Sequence, residues 1–376
     1  MPRPLFATIH QAALQHNLRV AHDHASGAKL WAVVKANGYG HGLLRAMRGF
    51  AAADGLALIE FDNAVVLREA GWQKPILMLE GFFDADDIAS ACRHGLTCVV
   101  HSAEQVALLQ VSASGNWMAG TRLQVHLKLN SGMNRLGFDA AAFHQAHARL
   151  RCLPQVGSIS LMTHFANADA PLTPALPLAR QVACFEAACQ GLAGEHTLAN
   201  SAATLLHPAV EADWARPGVM LYGSSPDADN AADHGLLPAM TLHSALIGTQ
   251  ALHAGDAVGY GSRFIASGPM RIGIVACGYA DGYPRHAPDG TPVIVAGVRT
   301  RLIGRVSMDM LAVDLTPVPG AQVGAPVVLW GRGLPVDEVA QAAGTIGYEL
   351  LCAVAPRVAI LDDTGTDDGA RIPIID

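Results

Sequence analysis

The chain has 376 residues, 51% hydrophobic and 15% charged, with a formal net charge of -7. This balance supports a large buried core over about two domains, and it excludes a disordered chain. With no Lys/Arg run it also argues against nucleic acid as the main partner.

Seven cysteines are scattered, odd in number and never spaced C-x-x-C, which fits free thiols in a reducing compartment. The N-terminus "MPRPLFATIHQAAL" has no hydrophobic signal core, and no apolar run reaches the length of a membrane span. A soluble cytoplasmic protein with no membrane partner is expected.

From the N-terminus, "PLFATIH" is strand-like and free to pair with a later domain. Short apolar runs then alternate with amphipathic stretches. The runs are "KLWAVVK" (29–35), "GLALIE" (55–60), "PILMLEG" (75–81), "LTCVV" (96–100), "RLQVHLKLN" (122–130), "VGSISLMTHF" (156–165), "HTLANSA" (196–202) and "WARPGVMLYG" (214–223). Helix-like segments lie between them, such as 62–71, 84–95 and 139–152, several opening on Asp and closing near Gly. Apolar runs separated by helices mean parallel strands buried on both faces. Eight such units predict a closed (β/α)8 barrel over residues 1–232.

The polar stretch 224–235 reads as a linker, and after it the pattern changes. Strand-like runs such as "MTLHSALIGTQAL" and "APVVLWG" are separated by Gly/Pro/Asp turns. "PDGTP" (288–292) is a hairpin signal, and "DEVAQAAG" (337–344) is the one short helix candidate. Residues 233–376 are expected to form a mainly β domain.

In such a barrel the site lies at the C-terminal strand ends. Polar residues at those ends are Lys35, then Lys128 with Asn130 and Arg135, then His164, Asn200 with Ser201, and Arg216 with Gly218. Taken singly, a strand-end lysine is usually a snorkelling surface group, and a lone histidine is more often a satisfied core residue. Together, cations, a histidine and small hydroxyl or amide groups suit an anionic, phosphate-bearing ligand around a reactive lysine.

Gly38, Gly40 and Gly42, with Glu60 about twenty residues on, imitate a dinucleotide fold, but the spacing is G-x-G-x-G rather than G-x-G-x-x-G. No metal-ligand spacing is present, "HDH" (22–24) placing its histidines on diverging directions of a helix.

Read as blocks, the chain resembles the bacterial alanine racemases, fold type III enzymes that use pyridoxal 5'-phosphate (PLP). "AVVKANGYGHG" (32–42), "HLKLNSGMNRLG" (126–137), "THFANAD" (163–169), "ANSAAT" (199–204), "ARPGVMLYG" (215–223), "VGYGSRF" (258–264), "GYADGYPR" (278–285), "GRVSMDM" (304–310) and "GYELLC" (347–352) match the family in order over nearly the whole chain.

The resemblance implies that Lys35 holds PLP as an imine. It implies that Tyr39, Ser201, Gly218, Val219 and Tyr348 hold the phosphate, that His164 lies against the ring, and that Arg216 bonds the ring nitrogen. Arg135 would help hold the substrate carboxylate. Lys128 matches a lysine that is often carbamylated and then orients that arginine. Lys35 and Tyr260 would be the two bases, taking the proton from D-alanine and L-alanine respectively. Tyr260, Tyr279, Met308 and Asp309 would reach the site from the partner subunit of a homodimer.

The implied activity is interconversion of L-alanine and D-alanine, for peptidoglycan supply or alanine catabolism. A broad-specificity racemase and a non-catalytic PLP-binding barrel are the other readings. The first would favour an export signal and a wider pocket. The second would lack the β domain and Tyr260.

Overall fold

The computed structural model describes residues 3–112, 122–169, 175–210, 212–227 and 231–363. Residues 228–230 of the expected linker and 364–376 of the expected β domain lie outside these. The first strand, β1 (Phe6–Ile9), does not join the barrel. Its alternating buried and half-buried residues pair with a later strand instead.

Eight parallel strands close on themselves: β2 (Lys29–Val33), β3 (Gly55–Leu58), β4 (Ile76–Met78), β5 (Thr97–Val100), β6 (Leu123–Lys128), β7 (Val156–Met162), β8 (His196–Thr197) and β9 (Trp214–Ala215). The last two are only two residues long, so Asn200 and Ser201 fall beyond the strand rather than ending it. Closure is made by β9 pairing β2, with Lys29 opposite Trp214 and Leu30 opposite Ala215.

Strands β3, β4 and β5 are buried at every residue, as expected where side chains fill the barrel on one face and helices cover the other. The interior includes Trp31 stacked on Trp214 at 4.2 Å and edge-on to His126 at 5.8 Å.

Two of the connecting helices start at aspartate caps. Asp84 accepts from the Asp87 N–H ahead of Ala85–His94, and Asp139 from the Ala142 N–H ahead of Ala140–Arg151. Gly95 ends the first in the left-handed conformation.

The second sheet is built on β10 (Met240–Leu252), with β13 (Met270–Val275), β14 (Pro292–Val295), β15 (Val298–Ile303), β16 (Leu311–Asp314), β17 (Pro326–Trp330) and β18 (Ala359–Asp362). Their order is β13-β16-β15-β14-β17-β10-β1-β18. β11 (Ala257–Val258) and β12 (Phe264–Ile265) form a separate ribbon. β10 shifts register between Leu242 and His243 and again between Leu246 and Gly248, which lets one long strand serve several partners. β1 lies between β10 and β18, so the first strand ties this sheet to the barrel that follows it.

Two expectations are corrected here. "PDGTP" forms a turn, with the Thr291 N–H on the Pro288 carbonyl, but it joins no paired strands. The hairpin turn is Ala296–Gly297 between β14 and β15, both at positive φ (49° and 80°), as such turns require. An alanine there gives no sequence signal. The β domain also carries a second helix, Gly347–Cys352, after Val336–Ala343. It is too short for periodicity to reveal.

All seven cysteines are free. Among the described residues no helix is long and apolar enough to cross a membrane, and no cluster of His, Cys, Asp and Glu could hold a metal.

Burial sets a pH limit on this fold. Desolvation lowers His126 from 6.5 to about 3, and His41 from 6.5 to about 4. Both are neutral in the folded chain and take protons more readily when unfolded. Their contribution is complete above about pH 6.5 and is lost as pH falls towards 4 and then 3, at about 1.4 kcal/mol per pH unit per group. The urea midpoint should therefore drop steadily between pH 6.5 and pH 5, where few carboxylates titrate. A flat midpoint over that interval would contradict the neutral assignment.

Candidate active site

Strand β2 ends at Val33, and the chain then enters an unusual turn. Ala36, Asn37, Gly38 and Tyr39 all have positive φ (53°, 54°, 61° and 49°). Three of the four carry a Cβ, and each such residue costs roughly 1–2 kcal/mol in the left-handed region. The turn offsets this with bonds of its own. The Gly38 N–H reaches the Val34 carbonyl (2.9 Å), the Gly40 N–H reaches the Ala36 carbonyl (3.0 Å), and the Asn37 carboxamide accepts from the Leu43 N–H (2.8 Å).

Gly40 is required by contact as well as by φ. A Cβ there would stand 2.1 Å from the Leu351 carbonyl. That approach brings helix Gly347–Cys352, with Tyr348, onto the turn. The Tyr39 and Tyr348 rings lie 6.2 Å apart.

Other strand ends supply the rest. Lys128 is the last residue of β6, and Arg135 lies in the loop after it. His164 follows β7 by two residues. Asn200 caps helix Ser201–Leu206 through the Ala203 N–H. Arg216 and Gly218 follow β9. With Lys35, Tyr39, Val219 and Tyr348, these residues line one cavity of about 470 Å³, and Glu80 is the only carboxylate among its lining residues. The excess of cations suits an anion.

The charges are arranged. Arg216 is buried, and its Nη2 donates to the carbonyls of Thr163 (2.7 Å) and Leu198 (3.0 Å) and lies 3.4 Å from His164 Nδ1. Its Nη1 is buried with no protein partner, so a donor is left over. Burial, and after it the Arg216 cation, hold His164 well below the usual imidazole value. It is therefore neutral beside the Arg216 cation. Burial, followed by Arg216 and Arg135, lowers the Lys128 amine to about 8.

Beyond Arg216 the Gly218 N–H donates to Ser201 Oγ (2.8 Å), and a Cβ on Gly218 would meet the Tyr39 hydroxyl at 2.5 Å. Only glycine leaves room for this cradle of hydroxyl and amide groups. A planar ring bearing a phosphate fits the donor set, with the phosphate at the cradle and an acceptor nitrogen at Arg216 Nη1.

Four expected residues are not brought to this cavity. Tyr260 is 69% exposed and Met308 53% exposed, and Tyr279 is also exposed. They lie with Asp309 in neighbouring loops of the second unit. The Tyr279 and Ala280 N–H groups donate to the Ser307 and Met308 carbonyls (both 3.0 Å), and Gly259 lies against Arg305.

The sequence reading missed the carbonyls of Thr163 and Leu198, which no side-chain motif reports. It also passed over His41 and Tyr222, visible only as members of "AVVKANGYGHG" and "ARPGVMLYG".

Comparison with known proteins agrees with this geometry. The family model described as alanine racemase, N-terminal domain matches residues 9–226, and the model for the C-terminal domain matches 239–361. An alanine racemase of Janthinobacterium is 60% identical over 96% of this chain and 99% of its own length. One of Ralstonia nicotianae is 56% identical over 99% and 98%. The crystal structure of biosynthetic alanine racemase from Pseudomonas aeruginosa, 48% identical, superposes with a TM-score of 0.91 over 96% of this chain and 99% of that one. The chain belongs to the alanine racemase family and is an isomerase of the alanine enantiomers.

Proposed function

We propose that this chain racemises alanine with PLP by a two-base mechanism, as half of a homodimer. The observation that carries the cofactor reading is the coincidence, in one cavity, of Lys35, the leftover Arg216 Nη1 donor and the Ser201–Gly218 cradle. Lys35 would hold the cofactor covalently. Tyr39, Ser201, Gly218, Val219 and Tyr348 would hold its phosphate, and His164 would lie against its ring.

Bound PLP supplies an electron sink that acidifies the Cα–H of the amino acid. The chain's own residues do the rest. Arg216, as a cation with a spare Nη1, would donate to the ring nitrogen without protonating it, which would weaken the sink and disfavour transamination. Arg135 holds the substrate carboxylate, and Lys128 orients Arg135, as a carbamate in the form the resemblance implies. The Lys35 amine and the Tyr260 phenol move protons on opposite faces of Cα, Lys35 for D-alanine and Tyr260 for L-alanine.

Tyr260 is far from being buried in its own chain, and Tyr279, Met308 and Asp309 lie in loops next to its own. A second copy would present them to the cavity, with Tyr279 and Asp309 narrowing the entrance and Met308 beside the substrate. A biosynthetic role is favoured over catabolism by the likeness to the biosynthetic alanine racemase of Pseudomonas aeruginosa, and we infer a cytoplasmic enzyme that supplies D-alanine for peptidoglycan.

Purified protein should carry a visible absorbance that borohydride abolishes, leaving the reduced cofactor fixed to Lys35, located by peptide mapping. Lys35→Ala should lose at least about 10³-fold of L- to D-alanine conversion, because the covalent anchor and one base go together. Activity near wild type in that variant would sink the assignment.

The shared site has its own test. Lys35→Ala and Tyr260→Phe homodimers should each be nearly inactive. Refolding an equimolar mixture should make about half the dimers mixed and restore roughly a quarter of the sites, since one site of a mixed dimer carries neither defect. No recovery, with subunit exchange shown by mass-tagged chains, would place both bases within one chain.

A further inference from the structure

The cavity does not account for two fully buried polar aromatics behind it. His41 and Tyr222 line none of it, yet both touch the left-handed turn that carries Lys35 and Tyr39. His41 Nδ1 lies 3.1 Å from the Gly38 carbonyl and 2.9 Å from the Tyr39 carbonyl. Carbonyls only accept, so Nδ1 carries the proton and the ring donates to both. Nε2 is buried without a partner, which a neutral ring tolerates as an idle lone pair and a charged ring would not. Burial accordingly depresses the imidazole pKa.

Tyr222 stacks on Tyr39 at 4.7 Å and packs against His41 at the same distance. Its hydroxyl donates to the Val33 carbonyl at 2.9 Å, at the end of β2.

We propose that His41 and Tyr222 are positioning residues for the cofactor. They lock the turn 36–39 in its left-handed form, and so aim Lys35 and Tyr39 into the cavity. The turn is the piece of the site with most reason to relax, since three of its four left-handed residues are not glycine. A right-handed or extended 36–39 would move Lys35 relative to Arg216 and Gly218. His41 holds the far end of the turn by two carbonyls, and Tyr222 holds the near end at Val33. The inference rests on the proposed PLP site.

The experiment measures PLP binding to cofactor-stripped protein, by absorbance titration, in wild type, His41→Phe and His41→Asn. Phenylalanine keeps a ring against Tyr222 and loses the donor. Asparagine loses the ring and keeps an N–H near the Nδ1 position. If the donor holds the turn, the Kd for PLP rises about tenfold or more in His41→Phe, about the loss of one buried hydrogen bond, and substantially less in His41→Asn. Fixation of PLP to Lys35 by borohydride should fall in the same order.

Affinity in His41→Phe equal to or better than in His41→Asn would overturn the lock and leave His41 as core packing. Wild-type affinity in both would do the same. If His41→Phe does not accumulate folded, Tyr222→Phe reads the lock from the other end. It keeps the stack and loses only the bond to Val33, and a rise of severalfold in Kd is expected. Wild-type affinity there would overturn the proposal. Wild-type protein that takes no PLP on Lys35 would instead overturn the cofactor assignment itself.

Discussion

The site depends on the closure of the barrel between β2 and β9. Lys29 opposite Trp214 and Leu30 opposite Ala215 fix the register, and the Val33 N–H reaches the Pro217 carbonyl at 3.1 Å. These bonds put the residue two beyond β2, Lys35, beside the residues that follow β9, Arg216 and Gly218. Some 180 residues separate them along the chain, yet one short parallel ladder makes them neighbours. β8 and β9 are the shortest strands of the barrel, so the geometry here is held largely by what surrounds them. The stacked Trp31 and Trp214 inside and the Arg216 bonds to Thr163 and Leu198 serve that purpose.

The cavity is a place where the protein keeps unspent donors. A buried guanidinium is expensive unless its hydrogen bonds are made. Arg216 satisfies Nη2 twice and leaves Nη1 free. His164 is kept neutral beside it, so the arginine's neighbour does not repel it. Lys128 is buried, and after that crowded by Arg216 and Arg135, which makes its amine less basic than a surface lysine and more available as a neutral nucleophile. Such an arrangement makes sense around an anion, and it is poorly suited to an apolar ligand.

The second unit ties its own loops together around one carboxylate. Asp281 is fully buried and accepts from Arg3 (2.5 and 2.8 Å), Arg357 (2.7 Å) and the Gly278 N–H (2.8 Å). Arg357 also bonds Asp309 at 2.6 Å. One carboxylate thus ties the N-terminal segment, the Tyr279 loop, the Asp309 loop and the chain leaving the Tyr348 helix. The loops that the proposed dimer would lend to a neighbour are fixed to the segment that completes the chain's own cavity. The carboxylate is buried while both arginines reach solvent, so the pairs fix the loops around one point.

The strands and helices of the barrel were legible because burial on both faces writes continuous apolar runs such as "GLALIE", and Asp84 and Asp139 announce the helices they cap. The strand-end rule then singles out Lys35, Lys128, His164 and Arg216, which line one cavity. The hairpin at Ala296–Gly297 and the helix at Gly347–Cys352 were not legible: one lacks the usual turn residues, and the other is shorter than two turns. Nor could the chain show that Arg216 is anchored by backbone carbonyls, or that His41 sits behind the turn it follows. Sequence records side-chain chemistry and local period, and those determined the barrel and the members of its mouth. Which donors are satisfied, which histidines stay neutral and which tyrosines remain exposed depend on distances between segments far apart in the chain. Only the closed tertiary structure decides those.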